Sequence, residues 1–149
     1  MIQNSMNPLS FSGQVSCSLG ELAKKTLLQL GIDQRLLRDF DNNLSVSLSF
    51  DQAPDVLISV SDDRLWIWSN FTEVRDSLIS ANANQILTIL MEPLENVESG
   101  QLAFCKGRDG YELKALVNLE CLKLGDEAAL GVLLEEFYKR MESLYQVIC

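Results

Sequence analysis

The chain has 149 residues, 47% of them hydrophobic, and twelve Lys and Arg against twenty-one Asp and Glu give a formal charge of −9. A unit of that length buries about 70% of the surface its unfolded chain exposes, enough for one self-sufficient core. The negative charge repels phosphate backbones and anionic lipid, so nucleic acid and membrane surfaces are not expected partners, and no apolar run approaches the roughly 20 residues that cross a bilayer.

Residues 1–17 are rich in Ser, Asn and Gln with little periodicity and read as a flexible tail, leaving 18–149 as one domain. They carry neither the basic region nor the continuous apolar stretch of a secretory signal, so the chain is expected to stay in the compartment where it is made. Ser18-x-x-Glu21 has the spacing of a capping box. Beyond it Leu19, Leu22, Ala23, Thr26, Leu27 and Leu30 share one helical face, Leu28 stands on the otherwise solvated side, and Gly31 supplies a left-handed cap. After a linker containing Leu36, Leu37 and Phe40, strict alternation from Leu44 through Val46 and Leu48 to Phe50 marks a half-buried strand. A turn at 51–54 leads to a second strand over 56–60, and Ser61-Asp62-Asp63 turns the chain into a third over 65–69. In that third strand Trp66 and Trp68 project from one face and Leu65 and Ile67 from the other, so both faces require cover.

The pattern over 77–91 is helical and its apolar face is wide, with Ile79, Ile86 and Leu90 among its members; Pro93 marks the stop. A stripe broader than one sheet contact needs points to burial on two sides, the second in a dimer interface. Residues 102–106 and 111–118 flank the turn signal Gly107-Arg108-Asp109-Gly110 and give strands four and five. The final helix starts at Asp126, where Leu130, Leu133, Leu134, Phe137, Met141, Leu144, Tyr145 and Ile148 recur at intervals of three and four. The class is therefore α+β, an antiparallel sheet of about five strands with three helices in the order α-β-β-β-α-β-β-α.

The chain contains no histidine, which removes the commonest general base and metal ligand, and neither a dinucleotide-binding glycine motif nor a phosphate-binding loop occurs. The acidic pairs at Asp39 and Asp41, Asp62 and Asp63, and Glu135 and Glu136 lie in loops or on a polar helix face and read as solvated charge. Cys17, Cys105, Cys121 and Cys149 are widely spaced free thiols, with Cys105 read as a core residue. The expectation is a binding protein with no catalytic residue, metal or cofactor. Two alternatives stay open: a PAS-like small-molecule sensor with the tryptophans lining its pocket, and an enzyme built on Cys121 or a carboxylate cluster, which lacks an activating base.

The segments LLQLGI, DFDNNLSVSLSFDQAPDVLISVSDDRLWIWSNF, ANANQILTILME and EEFYKRMESL together resemble the class IB type III secretion chaperones of the InvB/SpaK type, over roughly residues 19–148. The resemblance implies a cytoplasmic bacterial homodimer that binds the extended amino-terminal segments of secreted effector proteins and keeps them soluble and export-competent. It makes Leu28, Leu44, Val46, Leu48, Phe50, Trp66 and Trp68 the candidates for effector contact. It makes Ile79, Ile86 and Leu90 the candidates for the dimer contact.

Overall fold

In the computed structural model the described residues are 8–38, 40, 45–122 and 127–149. The first helix, α1, spans Pro8–Gln29 and so begins within the stretch read from composition as a tail. Proline suits that first position because its fixed φ is already helical and its missing N–H is one the helix cannot use. The Ser18-x-x-Glu21 spacing falls inside the helix and does not start it, since backbone N–H groups there already bond within the helix. The exit is as expected. Gly31 takes φ +92°, its N–H donates to the Leu28 carbonyl at 3.0 Å, and the Ile32 N–H donates to Leu27 at 3.1 Å, the paired bonds of a Schellman cap.

Five antiparallel strands follow: β1 (Ser45–Phe50), β2 (Ala53–Ser61), β3 (Arg64–Thr72), β4 (Ala103–Lys106) and β5 (Gly110–Leu116), ordered β1-β2-β3-β5-β4. The β2–β3 connection is a two-residue turn in which Asp62 and Asp63 take φ +54° and +59°, the left-handed pair that matches strand twist in a tight hairpin. β2 starts at Ala53, earlier than the sequence indicates, and carries Pro54. The register slips between Leu48 and Phe50 on the facing edge strand, so the proline's missing N–H falls beside an irregularity.

The helical stretch over 77–91 is divided. α2 (Asp76–Ala81) ends at Asn82, and α3 (Ala83–Met91) begins after it. The Asn82 side-chain amide donates to the Leu78 carbonyl at 2.9 Å and its backbone N–H donates to the same oxygen at 3.1 Å, the competition by which asparagine interrupts a helix. Glu92, held extended before Pro93, closes α3. The last helix, α4, spans Glu127–Ile148 and buries Leu130, Leu133, Phe137, Met141, Leu144 and Ile148 along one side.

α1 and α4 pack on one face of the sheet. Cross-strand register shows which side chains they cover: Val46, Ile58, Ile67 and Ala115 face one another across four strands, and all are buried. The class is α+β, as the sequence indicates. Cys105 lies half-buried on β4 opposite Glu112, while Cys121 is the buried thiol, because alternation along β4 turns Phe104 inward and Cys105 outward. The Ser69 hydroxyl, at the centre of β3, is fully buried and has no hydrogen-bond partner among the described residues.

Two glycines separate backbone strain from steric exclusion. A Cβ at Gly31 meets nothing within 4 Å, whereas at Gly110, φ +150°, it falls 2.3 Å from the Phe71 carbonyl oxygen of the neighbouring strand. Gly31→Ala should therefore lower the unfolding free energy by about 1 kcal/mol from conformation alone. Gly110→Ala should cost more than about 2 kcal/mol because β3 and β5 must separate. Urea denaturation of the two variants measures the difference, and equal losses would show that the close approach of the strands is relaxed.

Candidate protein-binding surfaces

The apolar residues this chain leaves uncovered lie in separate places. The outer face of the sheet, away from α1 and α4, carries the ladder Ser47, Leu57, Trp68, Lys114 and beside it Ser59, Trp66 and Leu116. Leu57, both tryptophans and Leu116 are only half-buried. Trp68 is held in place by its indole N–H, which donates to Ser59 Oγ at 2.9 Å. Over Trp66 stands the Lys114 ammonium, 5.7 Å from the ring centroid and 3.0 Å from the Glu112 carboxylate. With Ser61 and Asp62 these groups line an open cup of about 300 Å³.

The second place is the exposed side of α3. Leu87 and Met91, one turn apart, are 56% and 61% exposed, and Leu78 of α2 is also exposed. Groups anchor this unit at both ends. At its start the Asp76 carboxylate receives the Tyr111 hydroxyl and the Lys106 ammonium, the latter at 2.9 Å, which ties α2 to the β4–β5 hairpin. At its exit Arg140 of α4 donates to the Glu92 and Pro93 carbonyls, each at 3.2 Å. That cation complements the carbonyl end of the helix.

The residues singled out from sequence do not form one surface. Trp66 and Trp68 lie on the outer face, whereas Val46, Leu48 and Phe50 lie on the inner face, since Val46 pairs with Ile58 and Ile58 with Ile67. Val46 is part of the core and has no surface to offer; Leu48 is half-buried and Phe50 exposed. Leu28 is exposed on α1, and Leu44 lies outside the described residues. On α2 and α3, Ile86 is buried in the chain's own core and Ile79 and Leu90 pack partly against it, so the exposed stripe belongs to Leu87 and Met91. Leu57, Leu87, Leu116 and Met91 are the additions the structure makes. Leu57 had a signal, because it breaks the apolar–polar alternation between Val56 and Ile58.

A family model for the Invasion protein B family matches residues 31–108, which run from the α1 cap through the Trp66–Trp68 strand and α3 to the end of β4. This chain belongs to the Invasion protein B family. The resemblance to class IB type III secretion chaperones read from the sequence is thereby borne out. Among the family's relatives, the surface presentation of antigens protein SpaK of Salmonella typhimurium is 29% identical over 124 residues, covering 83% of this chain and 90% of that protein. The Salmonella typhi protein of the same name aligns with the same identity and coverage. A chain in the structure of the heterodimeric ExoU–SpcU complex from the type III secretion system of Pseudomonas aeruginosa has the same fold. Its TM-score is 0.53 at 18% identity, covering 84% of this chain and 93% of that one. The family match contains most of the outer-face residues and all of α2 and α3, while α1 and α4 lie outside it.

Asp76 gives an electrostatic test of the anchor. The Tyr111 hydroxyl and then the Lys106 ammonium hold its carboxyl below the usual carboxylate range, and the same hydrogen bond raises the Tyr111 phenol above its ordinary value. A depressed carboxyl contributes stability that is present above its unfolded value of 3.8 and lost as pH falls through the lower folded value. Asp76→Asn should abolish that acid limb and move the Tyr111 titration, followed by tyrosinate absorbance, down toward 10.0. An unchanged tyrosine titration would mean that the contact is not maintained in solution.

Proposed function

We propose that this chain is a type III secretion chaperone that binds the extended amino-terminal segment of secreted effector proteins, keeps it soluble and export-competent, and works as a cytoplasmic homodimer. The observation that carries the reading is the open outer sheet face, where Leu57, Trp66, Trp68 and Leu116 form apolar surface left half-exposed by the described residues. Family membership supplies the context, and the ExoU–SpcU complex is a related fold in a heterodimer from a type III secretion system.

A protein that holds an unfolded segment needs apolar area and unpaired sheet edges, and it needs no proton shuttle. β1 and β4 are the edges here. An added strand at either would take main-chain hydrogen bonds irrespective of its sequence, while alternate side chains supply selectivity. Leu28, Phe50, Trp66 and Trp68 are the proposed effector contacts that have surface available, with Leu48 at their margin. The proposed dimer contact centres on Leu87 and Met91, with Ile79 and Leu90 at its edge and Ile86 supporting it from the core. The PAS-like alternative needs an apolar cavity between helices and sheet. That space is filled by Leu27, Ile58, Ile67, Leu133 and Phe137.

Light scattering at micromolar concentration should give twice the 16.7 kDa chain mass, and Leu87→Asp with Met91→Asp should give the single-chain mass with folded circular dichroism. A wild-type monomer would remove the dimer. Affinity capture from a bacterium actively secreting through a type III system, with mass spectrometry of retained proteins, should return a secreted protein held through its amino-terminal segment. Trp68→Ala should weaken that complex about tenfold. Retention of no secreted protein would count against the chaperone reading.

A further inference from the structure

Two cavities, of about 470 and 660 Å³, open side by side where the β1–β2 turn meets the last turns of α4. Asp51, Gln52, Tyr145 and Cys149 line both, so the two form one groove. At one end stands Phe50, the last residue of edge strand β1; it is 38% exposed and its ring centroid lies 4.6 Å from that of Tyr138. The other end reaches Leu78 at the start of α2.

Its walls combine aromatic surface with charge of a single sign. Asp51, Glu73 and Glu142 line the groove, and no lysine or arginine stands among the described residues that do. Tyr138 and Glu142, one turn apart on α4, line it together, and hydrogen bonding to Glu142 raises the Tyr138 phenol above its ordinary value. The cup on the outer sheet face differs, because Lys114 already neutralises Glu112 there. A ligand for the groove must therefore bring both apolar side chains and positive charge, and the chain's net charge of −9 favours its approach. It must also be long and narrow. β1 is an edge strand, so a polypeptide paired along it leads past Phe50 into the groove, and its side chains on one face recur about every 6.6 Å, two residues at about 3.3 Å each.

We propose that this groove binds a basic, apolar-flanked stretch of extended polypeptide, with lysine or arginine side chains against Asp51, Glu73 and Glu142 and apolar ones against Phe50 and Tyr145. The assignment rests on the chaperone reading above and adds the place and chemistry of one cargo contact.

The test uses the full chain and a short fluorescein-labelled peptide of alternating arginine and leucine, followed by anisotropy at low and high salt. The control peptide has glutamate in place of arginine. The basic peptide should bind and the acidic one should not. Glu73→Lys with Glu142→Lys should weaken binding at least about tenfold, and the charge-matched control Glu21→Lys with Glu95→Lys should change it less than about twofold. Equal effects of the two reversals, or no binding of the basic peptide to the wild type, would overturn the groove assignment. The same proteins then enter the capture experiment. A groove variant that retains the secreted protein as well as wild type does removes the groove and leaves the chaperone reading intact, whereas a wild type that retains none removes both.

Discussion

β3 is apolar on both faces and sits at the centre of the sheet, between β2 and β5. Leu65, Ile67 and Phe71 point into the helical layer and are buried, so the strand and its neighbour β2 anchor α1 and α4. The opposite face of the same strand carries Trp66 and Trp68, while α1 and α4 pack on the other side. Folding therefore leaves large aromatic surface half-exposed. Removing the apolar side chains at 66 and 68 would make the lone chain more polar without loosening its core, because the two faces do not share neighbours.

The same separation organises the rest of the surface. The outer face, the α3 stripe and the groove beside α4 differ in charge: a paired lysine and glutamate in the first, a helix with no charged residue between Ala83 and Met91 in the second, and carboxylates in the third.

Period-two and period-four patterns made the elements readable in advance, because each strand and helix here has one face in the core. All five strands and the α4 stripe follow from that pattern, and Gly31 and Pro93 end their helices as their backbone chemistry requires. The capping spacing at Ser18 misled, since an N-cap pattern is informative only where a helix begins. The division at Asn82 depends on which carbonyl a side-chain amide reaches, which periodicity does not encode. Val46 and Ile86 show the deeper limit: alternation tells which residues share a face, and only the register of β1 on β2 and the packing of α3 on α4 tell that this chain covers those faces itself.

The α2–α3 unit is fastened at its start by Asp76 to the hairpin and at its end by Arg140 to α4. Such double fastening means that Leu87 and Met91 are presented on a stiff shelf whose shape exists before any encounter. A partner settling there would find little ordering entropy left to lose, and the strength of such a contact would be set by the fit of two preformed surfaces.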